Sequence, residues 1–546
     1  MMFLKELPHL KSVKKAGKSK TRFLDVSASF DIEVTSFYLD EMTGETMPTS
    51  VELPKKEIGR RYKRRACMYA WVFTLGGYAT IGRTWEEFLT LLQEISSRYK
   101  LGKELVLPVY VHNLSYEMQF LLHRLSWTKV FAIAEREPIY ARCDIGIEFR
   151  CSLKLSGYSL KITGENLRRH KMTKADGDLD YLMLRHSKTP LTHKEEGYLV
   201  RDGLVVADFI QEQREDYGSV AKIPLTKTGI VRKYLRDECL YGGKSHSLDY
   251  GHKRERYLRL MKWLSLEKEE YTLARHAFQG GLVHCSAINE GVIHKDVTSI
   301  DFTSSYPYHL IACKYPTGTG RKYVPKSIQY FERIIRIRGA IFYAEFFDIE
   351  AREMFEHVIS TSKCIVIDEP VIDNGRLVSA KKIRIAMTSV DYLIYKRFYS
   401  WSKMSVGLMY VYQMNYLPTS FVKAIVSLYK DKTTLKDVDD ELSKARYQWA
   451  KEQLNSVYGC CVTAVSRPTI KLTDGVWSKE DGDLEKDLAK YNEDPTRFNS
   501  YLWGVFCTAY ARLSLCTGII EAGRSFDYVY CDTDSVKMTN FKDHEE

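Results

Sequence analysis

The chain has 546 residues, 45% of them hydrophobic and 28% charged, which excludes global disorder and allows two large domains or about three to four smaller ones. Lys and Arg outnumber Asp and Glu by 81 to 70, and the resulting charge of +11 favours a polyanionic partner. No run of about eighteen apolar residues occurs, the six Lys between Met1 and Lys20 leave no room for a secretory signal, and the 12 Cys include no C-x-x-C pair; a cytoplasmic protein with no membrane partner, zinc ribbon or disulfide framework is expected. No P-loop or Rossmann glycine motif and no internal repeat is found.

Residues 1–220 read as α/β. Phe30 to Val34 alternates apolar and acidic residues, a strand pattern. Ala66 to Gly82 reads as two strands about Gly76-Gly77, and Trp85 to Arg98 as a helix with Phe88, Leu91, Leu92 and Ile95 on one face. A strand at Leu105–Val111 and a helix at Tyr116–Leu125 follow. Thr192 and Glu195 form a capping-box pattern that opens a helix from about His193 to Gln213. The polar stretch 214–271 reads as a connector, and Leu282–Ile288 with Val292–Phe302 as a hairpin about Asn289-Glu290-Gly291. A mixed stretch spans Pro316–Thr419, a helical one Phe421–Tyr458, and a polar, inserted one Ser466–Ser500. A helix at Trp503–Ala522 and a hairpin at Tyr528–Met538 complete the order.

Three spacings in the first part place carboxylates together. Asp31 and Glu33 share one face of a strand; Asn113 and Glu117, and Tyr198 and Asp202, lie one helical turn apart. Four carboxylates meeting at one point repel unless divalent cations lie between them. Two such ions about 4 Å apart activate water and stabilise the leaving oxygen of a phosphodiester, with Tyr198 suited to orient the water. The second part repeats this chemistry. Asp301 opens Asp301-Phe302-Thr303-Ser304-Ser305-Tyr306-Pro307, and Asp532 and Asp534 stand at the turn of Tyr530-Cys531-Asp532-Thr533-Asp534-Ser535. Two strands ending in carboxylates suit a two-metal site for a nucleoside triphosphate. Between them Lys451, Asn455 and Tyr458 share one helical face, a cation, an amide and a ring suited to phosphate, sugar and base. Any one of these residues by itself is more often an ordinary surface residue; the ordered set is what carries the argument.

Asp301–Pro307, Lys451–Gly459 and Tyr530–Ser535 resemble the three polymerase motifs of family B DNA polymerases, and Asp31-x-Glu33, Asn113-x-x-x-Glu117 and Tyr198-x-x-x-Asp202 resemble their 3′–5′ exonuclease motifs. The compact spacing is similar to the protein-primed subgroup of phages, linear plasmids and organelles, and Phe278-Gln279-Gly280-Gly281 resembles its Tyr-x-Gly-Gly loop. The resemblance implies an RNase H-like exonuclease over residues 1–220 and a right-hand polymerase over 221–546. The polymerase would comprise a palm (221–316 and 501–546), a primer-protein-contacting insertion (317–420), fingers (421–460) and a strand-displacement insertion (461–500). It implies Mg²⁺, two ions per site with Mn²⁺ as a substitute, held by Asp301 and Asp534 (Asp532 nearby) and by Asp31, Glu33, Glu117 and Asp202. Tyr306 would exclude a ribose 2′-OH, Lys432 and Lys451 would bind the triphosphate, and Asn455 and Tyr458 would complete the nucleotide site. Asn113 and Tyr116 would touch the primer end, with Phe278, Gly280, Gly281, Ser304 and Thr533 along the DNA. The implied partners are template-primer DNA, dNTPs and a terminal protein primer, in the host cytoplasm if the chain is viral.

Three departures matter. Glu117 stands where the subgroup usually has Asp, displacing the carboxylate by about 1.5 Å. Phe278 lacks the hydroxyl of the usual Tyr. The sequence ends at Glu546, shortly after Asp534, where family members continue into a thumb. A thumbless polymerase, completed by a second polypeptide or representing part of an interrupted gene or a fragment, is therefore expected. The alternatives are an enzyme with exonuclease activity alone and a non-catalytic subunit that binds DNA or the primer protein.

Overall fold

The computed structural model describes residues 10–14, 20–170, 183–242, 250–352, 356–436, 440–523 and 526–544. Most of the lysine-rich start, residues 1–9 and 15–19, lies outside them. The chain forms two compact units: residues 1–230 with 437–449 and 468–481, and residues 231–436 with 450–467 and 482–546.

The first unit is built on a ten-stranded mixed sheet. Its principal strands are β1 (Ala28–Asp40), β2 (Tyr62–Leu75), β3 (Tyr78–Gly82), β4 (Leu105–Val111), β5 (Trp127–Ala134), β6 (Glu137–Cys143) and β7 (Ile147–Cys151). They lie in the order β3-β2-β1-β4-β7-β6-β5, with β4 parallel to both β1 and β7. Alternation along β1 divides its side chains between two layers. Phe30 and Ile32 pack with Phe88 and Leu92 of helix α1 (Trp85–Tyr99) and Met118 of α2 (Leu114–Leu121). On the opposite face Ser29 Oγ donates to the Gly203 carbonyl at 2.7 Å, so Ser29, Asp31 and Glu33 face helix α3 (His193–Tyr217). Gly203 permits this approach: a Cβ there would lie 3.1 Å from Thr74. Both α1 and α3 begin with capping boxes, Thr84 with Glu87 and Thr192 with Glu195, which satisfy the first free backbone N–H groups.

The second unit begins with three helices, α4 (Lys227–Tyr241, entering from the first unit), α5 (Tyr250–Trp263) and α6 (Lys268–Ala277), where a polar connector is expected. Each buries an apolar side: Leu235, Tyr257, Met261 and Leu273 all enter the larger core. Strands β8 (Val283–Cys285) and β9 (Thr298–Asp301) do not form the expected hairpin with each other. A tight hairpin formed much later in the chain takes both instead. Helix α7 (Ser305–Ala312) follows, then a seven-stranded antiparallel sheet containing β10 (Arg321–Tyr323), β11 (Gly339–Ala351), β12 (Cys364–Asp368), β13 (Arg376–Thr388) and β14 (Lys403–Tyr412). Its order is β10-β14-β11-β13-β12, with helices α8 (Ile328–Ile337) and α9 (Ser389–Phe398) packed beside it.

The helical stretch divides into α10 (Thr419–Thr433) and α11 (Glu441–Cys461). The polar insertion forms a hairpin, β15 (Thr469–Thr473) and β16 (Val476–Glu480), and a helix α12 (Leu484–Glu493). Leu472 and Trp477 of that hairpin pack on the core of the first unit. Helix α13 (Tyr501–Gly523) precedes the last strands, β17 (Tyr528–Asp532) and β18 (Ser535–Met538). By length and composition α13 is long and apolar enough to cross a membrane, but 67% of its apolar stretch is buried inside the protein. Trp503, Phe506, Leu515 and Ile519 lie inside the protein, as in a core helix.

Candidate active sites

In the first unit, three carboxylates collect around Tyr116. Glu117 lies in the first turn of α2 and is 4% exposed. Burial, and next the Asp31 carboxylate, push the Glu117 carboxyl well above its usual range. The Tyr116 hydroxyl is raised by burial and then by Glu117, Glu33 and Asp31. Asn113 does not share the helical face of Glu117: it caps α2 from outside, in the left-handed region at φ 84°. An Asn tolerates that conformation better than most residues. Tyr198 and Asp202 are buried on α3, and Asp202 is next to the Gly203 whose carbonyl anchors β1.

In the second unit the strand order is β8-β17-β18-β9. The register sets Asp301 opposite Ser535 and Val283 opposite Asp532. Thr533, at φ 55°, makes the turn and donates its Oγ1 proton to Asp532 Oδ1 at 2.9 Å. The Phe302 N–H donates to the Asp534 carbonyl at 2.7 Å, tying the two carboxylate-bearing segments together. Burial and then Asp301 raise the Asp534 carboxyl, with Lys451 acting in the opposite direction. Lys432 Nζ donates to Ser304 Oγ at 2.8 Å, and burial followed by Lys451 and Lys436 lowers its ammonium. Tyr306 and Tyr458 stack with ring centroids 4.3 Å apart. Asn455 is exposed one turn beyond Lys451 on α11.

The loop after α6 closes against this turn. Gly281 lies directly on Thr533, where a Cβ would approach Oγ1 to 2.5 Å, and the Thr533 N–H donates to the Leu282 carbonyl at 2.8 Å. Phe278 caps α6, packs beside Tyr501 and accepts at its carbonyl from Lys363 Nζ at 2.9 Å. Arg512 of α13 donates to the carbonyls of Gln279 and Gly280 and pairs with Asp391 Oδ1 at 2.6 Å. Motif reading misses Arg512, Asp391 and Lys363. The available signal was Arg512 itself, a charge in the middle of an otherwise apolar helix, which is rarely buried without a partner.

Both carboxylate sets have the hard oxygen donors that divalent ions prefer. Glu117 Oε2 is buried and has no hydrogen-bond partner among the described residues, and a cation beside it would relieve the repulsion from Asp31. As they stand, no three His, Cys, Asp or Glu side chains among the described residues are grouped closely enough to hold a metal ion. Asp31, Glu33 and Glu117 are electrostatic neighbours, as are Asp301, Asp532 and Asp534, without forming a finished coordination shell.

Residues 249–544 match the family model described as DNA polymerase type B, organellar and viral. The DNA polymerase of Bacillus phage Nf is 24% identical over 495 residues, covering 84% of this chain and 74% of that protein. The DNA polymerase of Bacillus phage PZA is 25% identical over 493 residues, covering 82% and 75%. Among solved structures, phi29 DNA polymerase with primer-template DNA and incoming nucleotides superposes with a TM-score of 0.70 at 17% identity, covering 94% of this chain and 81% of that one. The same polymerase with single-stranded DNA gives a TM-score of 0.66, also at 17% identity, covering 94% and 80%. The chain belongs to the type B DNA polymerases of organelles and viruses. It is a DNA-directed DNA polymerase, and polymerases of this family use divalent metal ions.

Proposed function

We propose that the second unit extends a primer 3′ end against a DNA template and that the first removes mispaired 3′ ends. The observation that carries this reading is the tight β17–β18 turn, which sets Asp532 and Asp534 beside Asp301 with Lys451 in electrostatic reach. In this reading residues 1–220 are an RNase H-like exonuclease and 221–546 a palm and fingers with two insertions. The primer 3′-OH attacks the α-phosphate of a dNTP, and pyrophosphate leaves. Lys432 and Lys451 neutralise the triphosphate, and Lys432 reaches it from its bond to Ser304. Tyr306 lies under the sugar and Tyr458 under the nascent pair, their stacked rings fixing each other. Phe278, Gly280, Gly281, Ser304 and Thr533 follow the primer-template.

Asp301 and Asp534, with Asp532 alongside, would hold Mg²⁺ or Mn²⁺ in the polymerase site, and Asp31, Glu33, Glu117 and Asp202 would do so in the exonuclease site. Two bound divalent ions supply charge for the attacking and leaving oxygens. Tyr198 orients the attacking water in the exonuclease, and Asn113 and Tyr116 grip the frayed 3′ end. The partners are template-primer DNA, dNTPs and a protein whose hydroxyl primes synthesis, in the cytoplasm of an infected host. The phage origin of the relatives, and the structures of phi29 DNA polymerase with primer-template DNA, nucleotides and single-stranded DNA, support this assignment.

Primer extension with Mg²⁺ and four dNTPs, beside degradation of a 3′-mismatched primer, tests both halves. Asp534→Ala is expected to end extension and spare degradation, and Asp31→Ala the reverse. Extension by Asp534→Ala at the wild-type rate refutes the polymerase site. Unchanged degradation by Asp31→Ala refutes the exonuclease site.

A further inference from the structure

A second binding feature lies in the second unit, with none of the catalytic carboxylates in its lining. A cavity of about 560 Å³ opens between the end of α5, strand β10 and helix α8. Trp263, Tyr323, Ile334 and Ile337 line it, with Arg321 and Arg338. Trp263 is 52% exposed and Ile337 75%, far more than apolar residues of a closed core. The Trp263 indole stacks on no other ring among the described residues, and neither guanidinium forms an ion pair there. None of the lining residues is Asp or Glu. The carboxyl behind the wall is Glu270, at 2.4 Å from where a Cβ on Gly320 would lie. Tyr412 donates to Glu270 at 2.7 Å, and burial raises that carboxyl to about 7, so its negative charge is much reduced near neutrality.

We propose that this cavity binds an unpaired stretch of DNA, one base stacked on Trp263 and its flanking phosphates held by Arg321 and Arg338. The inference rests on the assignment of the chain as a polymerase acting on DNA. Flat aromatic surface beside unpaired guanidinium groups is the combination that binds single strands without regard to sequence. The space takes one base and its phosphate, whereas a duplex would present only its backbone and leave the indole uncovered. The occupant must bring a flat ring as well as negative charge: every nucleotide carries both, whereas an acidic protein segment does so only where an aromatic residue stands beside its carboxylates.

The test is binding of a fluorescent oligothymidylate in EDTA to the full chain and to the W263A, W263F and R338Q variants. Stacking of one base predicts a loss of about 5- to 150-fold for W263A, most of it regained in W263F. R338Q is expected to lower the salt slope by about 0.7, the value for one phosphate contact on a single strand. An oligonucleotide carrying 5-iodouracil is expected to photo-crosslink at Trp263 or Tyr323. Wild-type affinity in W263A, crosslinks solely elsewhere, or displacement of the oligonucleotide by polyglutamate at equal charge concentration would each overturn the proposal. Primer extension on a template with a short overhang is run on the same preparations. Wild-type extension alongside any of those results rejects the cavity alone, whereas no extension by the wild-type chain counts against the enzyme reading itself.

Discussion

Gly281 offers the sharpest test of how the polymerase site is held. Its backbone is not in the left-handed region, so Ala there is penalised by contact alone. A Cβ at Gly281 would lie 2.5 Å from Thr533 Oγ1, 2.8 Å from Cγ2 and 2.9 Å from Cβ. Ordinary contact begins near 3.4 Å, so the turn or the loop must yield by about 0.9 Å. The loop has little freedom, because Arg512 holds the carbonyls on its other side and Lys363 holds that of Phe278. The displacement therefore falls on the turn bearing Asp532 and Asp534. Overpacking of this kind costs about 1–3 kcal/mol of stability, and a shift of about 1 Å in a reacting group costs about 100-fold in rate. G281A is expected to extend a primer about 100-fold more slowly in single-turnover measurements while degrading single-stranded DNA at the wild-type rate. Thr533→Gly removes all three clashing atoms and suits the φ of 55° at that position. The G281A/T533G double variant should thus recover most of the loss, less the bond from Thr533 Oγ1 to Asp532. Wild-type extension by G281A, or a double variant slower than G281A, would refute the reasoning.

Three further outcomes are expected. Arg512→Met leaves Asp391 buried without its cation, a change worth about 3–5 kcal/mol, and frees the Gln279 and Gly280 carbonyls; chemical denaturation should show the destabilisation, and extension should fall more than exonuclease activity. Glu270, raised from 4.5 to about 7 by burial, keeps its proton longer in the folded chain than in the unfolded one. The folded state is thus favoured fully below pH about 4.5 and progressively less as pH rises through about 7; Glu270→Gln should match wild type at pH ~4 and exceed it by about 3 kcal/mol at pH ~8 in urea melts. Tyr306→Val removes the ring stacked on Tyr458, and competition between a ribonucleotide and its deoxy counterpart should show relaxed sugar discrimination with the exonuclease unaffected.

The parts legible in the sequence are those whose chemistry or capping needs residues close together in the chain. The capping box at Thr192 marked the helix that carries Asp202, and the Asp532-Thr533-Asp534 turn lies where its spacing places it. What escaped depends on partners far away in the chain. Leu282–Ile288 and Val292–Phe302 looked like a hairpin because apolar runs flank a glycine turn. The β17–β18 hairpin instead takes Val283 opposite Asp532 on one edge and Thr298 opposite Met538 on the other. The polar 214–271 stretch hid three helices because each buries only a narrow apolar stripe, as Tyr257 and Met261 do on the basic helix α5.

The same long-range pairing explains why the missed residues matter to the site. Every strand that carries a polymerase carboxylate is short, four residues in β9 and five in β17, so the ladder by itself fixes the carboxylates weakly. Rigidity has to come from outside the sheet. The Leu282 carbonyl holds the Thr533 N–H, Gly281 closes on the Thr533 side chain, and Arg512 locks the preceding carbonyls to Asp391 on α9. Asp391 also caps its own helix through Thr388, so a perturbation at α9 reaches the Asp532-Thr533-Asp534 turn through this loop as well as through the packing of α9 on α13. A double-mutant cycle between Asp391→Asn and G281A should therefore show coupling of about 0.5–3 kcal/mol in extension rate, and strict additivity would mean that the loop does not carry the connection.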